Sequence, residues 1–425
     1  MSESRKMAEV PRAKTVVLML AVFTVSVGFG VVLPLLPYLI ERLLGSGDVT
    51  RISRHTGLLT ATYTLSLFLF APLWGRLADR HGPRNVLLFG LLGFSSTMLV
   101  FSLVESLTAI YAERFLSGMF AAAVTPVAAA TIAGAAATEQ ERARRLAFVS
   151  MAGISGFLLG PMVSVFVTRF ASVLFSLARP AGSVAASLTT TALLALLVAT
   201  AIVFVLPSGK TRNRPEKSSL TVVGSTPWVL PTLLILTFIV SAGIGVFEVG
   251  LALRGKQELG LTAYQIALMF SECSLVMFVM QAIVFAPWFK ADRTRWLIAP
   301  ALAVLATGLA FVPRAADFAS MLVVIGAVAS SAGILSPILT YWISAKAGTA
   351  QGWELGKQTA ASSLGVTLGS AAGGLLFNVA GFPGASFCLS AGFTGLAILF
   401  GLRLARLLGP GNSKYGFDAE LRFHK

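Results

Sequence analysis

Residues 75–85 read GRLADRHGPRN, and they stand between two long apolar runs, TGLLTATYTLSLFLFAPLW at 56–74 and VLLFGLLGFSSTMLVFSLV at 86–104. Arg76, Asp79, Arg80 and Arg84 fall within this short link, whereas neither flanking run holds a charge. A membrane-spanning helix needs about 20 consecutive apolar residues. The link therefore reads as a polar turn between two spans.

The whole chain repeats that pattern. Hydrophobic residues make up 56% of its 425 positions and charged residues only 12%, where soluble domains carry about 25% charged residues. Mean hydropathy is +0.82. Twelve windows can span, near 15–40, 56–75, 85–104, 108–135, 146–168, 186–206, 228–252, 264–288, 297–313, 318–343, 358–380 and 385–405. They are too long for the roughly 10-residue alternating strands of a barrel. The first run is too long for a signal-peptide core and lacks a small-residue cleavage site, so it is expected to be retained. The expected fold class is an all-α membrane protein of 12 transmembrane helices.

Sidedness follows from Lys and Arg, which concentrate in cytoplasmic loops. With the N-terminus inside, 24 of the 33 basic residues fall on the cytoplasmic side and 8 on the other, while Arg114 lies within a span. Both termini are expected in the cytoplasm, and the protein in a bacterial inner membrane. The net charge of +15 is spread over many loops rather than one basic face with aromatics. It suits topology and anionic lipid, and no nucleic-acid partner is expected. Cys273 and Cys388 both lie in apolar spans, where they read as small packing residues.

Internal repetition sets the architecture. FAPLW at 70–74, followed by Asp79-Arg80, recurs as FAPW at 285–288 followed by Asp292-Arg293, and GFLLGPMVS at 156–164 recurs as GVTLGSAAG at 365–373. The offsets are 215 and 209 residues, each about half the chain. Residues 208–227, SGKTRNRPEKSSLTVVGSTP, have the composition of a linker. The expectation is an N-terminal six-helix bundle over 1–207, a cytoplasmic linker over 208–227 and a C-terminal six-helix bundle over 228–425. Duplicated bundles of this kind place a substrate site near the midplane and alternate its exposure by rocking.

GRLADRHGPRNVLL resembles the signature between the second and third helices of the major facilitator superfamily, Gly-x-Leu-Ala-Asp-Arg-x-Gly-Arg-Lys. Gly75, Leu77, Ala78, Asp79, Arg80, Gly82 and Arg84 match, and Pro83 replaces the first basic residue of the pair. The resemblance implies that this loop latches the two halves on the cytoplasmic side, with Asp79 facing a helix N-terminus of the other half. Arg114 and Gly118 in RFLSG resemble an Arg-x-x-Gln-Gly pattern linked to proton coupling, with Ser117 in place of Gln. Gly156, Gly160 and Pro161 resemble the Gly-x-x-x-Gly-Pro-x-x-Gly-Gly signature of exporting antiporters, although Ser164 and Val165 replace its last two glycines. Close helix packing through small residues is the alternative reading of both. The GFGVVLPLLPYL segment of the first span also resembles the 12-helix drug–proton antiporter branch.

Ionisable residues inside spans cost about 2.5–3.5 kcal/mol on insertion scales unless paired or wet. Glu113, Arg114, Glu248 and Glu272 are the candidates for proton or ion coupling. Neighbours in a helix point about 100° apart, so Glu113 and Arg114 are expected to find separate partners across the bundle. Glu113 and Glu248 lie nearer the outer ends, where snorkelling is an alternative. Glu272 lies closest to the membrane centre and is the foremost proton or cation site. Tyr63, Ser331, Tyr341 and Gln358 are polar groups that could line a central path.

Met269, Glu272 and Cys273 share a helix face that could pass a transition metal such as iron, although a plain apolar wall explains the same residues. His55, His81 and His424 all lie outside the twelve windows. No Walker pattern or metal-binding His pair is present, and Gly28-Phe29-Gly30 runs into Val31, Val32 and Leu33 rather than a dinucleotide turn. The reading is a secondary transporter, not an enzyme, without cofactor, expected to act as a monomer and to export a small organic solute against protons. Metal or metabolite transport by the same fold, and a membrane scaffold or sensor that moves nothing, are the alternatives.

Overall fold

The computed structural model describes residues 12–45, 47–134, 139–175, 180–206, 228–284, 291–346, 351–379, 381–382 and 384–408. Among these residues there is no strand. The helices are α1 (Arg12–Val32), α2 (Leu36–Leu44), α3 (Val49–His81), α4 (Pro83–Phe101), α5 (Leu107–Ala121), α6 (Thr125–Gly134) and α7 (Glu139–Phe175), then α8 (Pro180–Val205), α9 (Val229–Gln257), α10 (Ala263–Val284), α11 (Ile298–Phe311), α12 (Phe318–Lys346), α13 (Gln351–Leu375) and α14 (Ala385–Leu407). A 3-10 turn at Leu33–Leu35 joins α1 to α2 in one span, and α5 and α6 share another. The protein is thus an all-α membrane protein of twelve spans in two six-helix bundles. The expected linker 208–227 lies outside the described residues, as do both termini, residues 285–288 and the side chain of Asp292.

Eleven of the described spans are long and apolar enough to cross a membrane by length and composition. The twelfth, α13, is rich in Gly, Ser and Thr. It packs chiefly against α9 and α3, so protein rather than lipid covers its small-residue face. Many hydroxyls elsewhere in the spans bond back within their own helices, as Thr56 does to the Ile52 carbonyl at 2.8 Å and Ser274 to that of Phe270 at 2.9 Å, while Ser66 and Ser95 reach carbonyls of neighbouring helices. Such bonding removes most of the cost of a hydroxyl in hydrocarbon.

Local chemistry sets the span ends. Gly45 closes α2 in the left-handed region at φ 60°, which costs glycine little. Asp48 then caps α3 by accepting the Thr50 and Arg51 backbone N–H groups, each at 3.0 Å. At the far end of α3, Gly82 takes φ 86° and its N–H reaches the Ala78 carbonyl at 2.9 Å. Pro83 opens α4, a position where its missing N–H is not needed. Asp317, outside the spans, accepts the Ser320 N–H at 2.7 Å. That bond holds its carboxyl below the usual carboxylate range.

The two halves repeat one packing device at atomic detail. A Cβ added at Gly156 on α7 would lie 2.2 Å from the Phe23 carbonyl oxygen and 2.9 Å from Ser26 Cβ on α1. One added at Gly365 on α13 would lie 2.5 Å from the Phe238 oxygen and 3.0 Å from Ser241 Cβ on α9. Gly160 against the Val27 oxygen, at 2.7 Å, is matched by Gly369 against the Ala242 oxygen, at 2.1 Å. Gly30 against the Phe157 oxygen is matched by Gly245 against that of Val366. Each match carries the same offsets, 209 on α7 and α13 and 215 on α1 and α9. The underlying echo of FTVSVGFG at 23–30 in FIVSAGIG at 238–245 is a repeat that the sequence reading did not pick out.

The halves meet mainly through α3 with α13 and α7 with α10. At the end of the molecule that carries Gly45, a polar knot closes the boundary. Asn378 donates to Ser53 Oγ at 2.8 Å, to the Val49 carbonyl at 3.1 Å and to Gln257 Oε1 at 3.1 Å. Lys256 Nζ donates to the Pro37 carbonyl at 2.8 Å and pairs with Glu41 at 2.6 Å. Gly57 and Gly374 bring the backbones of α3 and α13 together, with a Cβ on either one only 2.6 Å from the other's Cα.

Candidate functional site

Midway along α5, Glu113 and Arg114 are 3% and 2% exposed and bind each other directly, Nε to Oε2 at 2.7 Å and Nη2 to Oε1 at 3.0 Å. This corrects both the expectation of separate partners and the snorkelling alternative for Glu113. The backbone directions do diverge, but both side chains are long, and in an apolar core an unpaired charge costs more than the bending needed to meet. The guanidinium also lies 4.6 Å from the Phe101 ring centroid and 5.6 Å from that of Tyr63.

From this pair an aromatic row crosses the boundary between the halves. Tyr63 stacks on Phe29 at 5.3 Å, Phe29 on Phe157 at 5.7 Å, and Phe157 meets Phe270 of α10 edge-on at 6.0 Å. Phe270 stands two residues before Glu272. Beside Arg114, Phe29, Thr60 and Tyr63 help to line a void of about 10 Å³, near the least that holds one water. The row was missed at the sequence level because Phe29, Phe157 and Phe270 look like any other apolar span residues. Pro161 adds to it: its ring removes an N–H from α7 and leaves the Phe157 carbonyl, four residues earlier, without its helical donor. That carbonyl is the one against Gly30.

Glu272 lies nine residues into the 22-residue α10, about 13 Å from its start and so near mid-depth. It is half-buried, and its Oε2 is buried without a hydrogen-bond partner. Its Oε1 lies 4.0 Å from where a Cβ on Gly326 of α12 would sit, so the glycine leaves room beside the carboxylate. Cys273 is within electrostatic reach of both Glu272 and Glu248, which brings two of the carboxylates of the C-terminal half to one region. Met269 is fully buried and Cys273 nearly so. Among the described residues no three His, Cys, Asp or Glu side chains gather as metal ligands.

The other candidates are dispersed. Tyr63 belongs to the Arg114 cluster. Ser331 is 1% exposed, and its hydroxyl donates to the Ala327 carbonyl of its own helix at 2.8 Å, which removes it from any open path. Gln358 donates to Thr340 Oγ1 at 2.6 Å, and Tyr341 meets Trp342 edge-on at 5.3 Å. In the 75–85 link, Arg84 Nη2 donates to the Val203 carbonyl at 2.8 Å, where it caps the end of α8 within its own half. Arg80 is exposed, a Cβ at Gly75 would meet nothing within 4 Å, and the Asp79 side chain lies outside the described residues. Gly156 and Gly160 are used in packing α7 on α1, as described above. The side chains of Ser164 and Val165 lie outside the described residues.

Comparison with known proteins agrees with this architecture. The sequence profile of the Major Facilitator Superfamily matches residues 18–353. Multidrug resistance protein 2 of Bacillus subtilis is 28% identical over 374 residues, covering 86% of this chain and 88% of its own. Quinolone resistance protein NorA of Staphylococcus aureus is 26% identical over 365 residues, covering 85% and 89%. The crystal structure of the human organic anion transporter MFSD10 (TETRAN) superposes with a TM-score of 0.70 at 20% identity, covering 92% of this chain and 99% of that one.

Proposed function

The chain belongs to the Major Facilitator Superfamily, and from that premise we propose that it is a proton-coupled exporter of small aromatic organic solutes, working by alternating access from the cytoplasmic side of a bacterial inner membrane. The observation that carries the reading is Glu272, a carboxylate near mid-depth with one buried oxygen lacking a partner. Such a group gains by taking up a proton and loses that gain when it meets water or a cation. The aromatic row from Tyr63 to Phe270 supports the solute class, since stacked rings offer a broad apolar surface with little conformational cost. The names of the multidrug and quinolone resistance relatives point the same way.

Proton coupling in this reading uses two elements with different tasks. Glu272 exchanges the proton with the solute's route. The Glu113–Arg114 pair, held in apolar surroundings, keeps a fixed charge arrangement in the N-terminal half against which that exchange is sensed. The 75–85 link, with Gly75, Asp79, Arg80 and Gly82, serves as the cytoplasmic latch, and Arg84 anchors it to α8. Glu248, within electrostatic reach of Cys273 as Glu272 is, is the natural alternate carrier.

Purified protein in proteoliposomes tests the proposal. Glu272→Gln keeps size and hydrogen bonding but removes titration, so proton-driven accumulation of an aromatic cation should fall at least tenfold while its binding persists. Accumulation that survives with an unchanged pH profile would remove Glu272 from the coupling path. Loss of divalent-metal binding in both Glu272→Gln and Cys273→Ser would instead favour metal transport.

A further inference from the structure

A cation withdrawn from water needs oxygen acceptors around it or the face of an aromatic ring. Lys256, near the end of α9, has both. Its Nζ donates to the Pro37 carbonyl at 2.8 Å, pairs with Glu41 at 2.6 Å and lies 4.6 Å from the centroid of the Tyr38 ring. The lysine side chain is 11% exposed and that of Glu41 47%. The ammonium is therefore enclosed, while its carboxylate partner opens to the surroundings of the Gly45 end.

The cage and the ion it holds come from different halves. Pro37, Tyr38 and Glu41 all stand on α2, and residues three or four apart share a helix face. The Tyr38 hydroxyl crosses the boundary too, donating to the Leu261 carbonyl, and Leu261 is itself held by its N–H to the Gly255 carbonyl at 2.8 Å. That bond fixes the ring with a face toward Nζ. When the halves part at this end, α9 takes the ammonium away and leaves the carbonyl, the carboxylate and the ring together on one helix. Closure alone does not call for this set, because Asn378 and Gln257 already bridge to α3 and a half-exposed ion pair adds little. An aromatic face beside a carboxylate is suited to recognising substituted ammonium ions.

We infer that Pro37, Tyr38 and Glu41 form an exit subsite for an organic ammonium ion, and that Lys256 is its tethered occupant in the conformation seen here. With the Gly45 end open, the exported cation places its charge against Glu41 and its substituents on the Tyr38 ring. On closure Lys256 returns with the high effective concentration of a tethered group and takes the same oxygens and ring face. One cage cannot hold two cations, so the solute is released outward. The inference rests on the export reading above and narrows the solutes it serves to organic cations.

Equilibrium binding of radiolabelled phenyltrimethylammonium to protein in phosphatidylcholine nanodiscs tests the subsite, with Glu272→Gln in every variant so that the mid-depth carboxylate takes no part. Lys256→Gln vacates the cage and should tighten binding at least tenfold. Adding Glu41→Gln or Tyr38→Leu should abolish the gain, whereas adding Tyr38→Phe, which keeps the ring and loses only the hydroxyl, should preserve it. No gain in Lys256→Gln, or a gain that persists with Tyr38→Leu, would overturn the inference.

Transport separates the subsite from the reading it rests on. In proteoliposomes that export ethidium, phenyltrimethylammonium added at the outer side should inhibit Lys256→Gln at concentrations at least tenfold lower than it inhibits the unaltered protein, because no tethered ion competes for the cage. Its neutral isostere tert-butylbenzene should inhibit both alike. Equal inhibition by the cation would count against the subsite. Unaltered protein that exports nothing, together with cage-dependent binding in nanodiscs, would defeat the export reading and leave the subsite standing.

Discussion

The side-chain amide of Asn378, three residues beyond the end of α13, donates a 2.8 Å hydrogen bond to the hydroxyl of Ser53 on α3 and so ties one half of the molecule to the other. Gln257 of α9 joins the same knot, donating to Ser53 Oγ at 3.0 Å and to the Val49 carbonyl at 3.2 Å. Bonds of this kind contribute about 1 kcal/mol each on balance, which suits a closure that must open and re-form.

Asn378→Leu removes three of those bonds while keeping the volume. It should shift the balance toward the state open at the Gly45 end by about 1–2 kcal/mol, roughly 5–30-fold. A cysteine at Thr64 should then react correspondingly faster with a membrane-impermeant maleimide added on that side. An unchanged rate would mean that the knot is ornamental to the closure.

Breaking the buried ion pair should be costly, and removing both partners should not. Glu113→Leu leaves Arg114 uncompensated and should destabilise the protein by about 3–5 kcal/mol. Glu113→Leu combined with Arg114→Met should recover most of that loss in thermal unfolding in detergent, though not the transport activity. A double variant as unstable as the single one would show that Arg114 has another essential partner.

The glycine contacts make a matched set of stability predictions. Gly156→Ala and Gly365→Ala each force a methyl group against a carbonyl oxygen, at 2.2 and 2.5 Å, and should each cost about 1–3 kcal/mol. Gly395→Ala on α14 meets open space and should be neutral or stabilising by up to about 1 kcal/mol. Equal losses in all three would deny the packing a special role.

Topology reporters address sidedness. Fusions after Leu206 and at the C-terminus should both report cytoplasm, because the basic residues crowd the loops on that side. A C-terminal reporter on the opposite side would imply an odd number of spans.

The chain's own order of residues was sufficient for the membrane, the span count and the duplication. Apolar runs of bilayer length are a local property, and two copies of one packing device leave the same letters 209 and 215 residues apart. Even α13 was legible as a span, within the window 358–380, although its composition falls short of the other eleven. The polar link at 75–85 was equally plain, because charge between two apolar runs is itself a pattern along the chain.

What the linear pattern could not settle is which side chains meet. Helical geometry predicted that Glu113 and Arg114 would point apart, and it does not weigh the desolvation cost that draws their flexible ends together. The aromatic row through Phe29, Phe157 and Phe270 joins three helices far apart in sequence, and Ser331 is buried with its hydroxyl bonded to its own helix. The pairing of α3 with α13, closed at Gly57 and Gly374, exists only once two distant spans are laid side by side. Burial and register are properties of that contact between helices, and only the tertiary structure decides them.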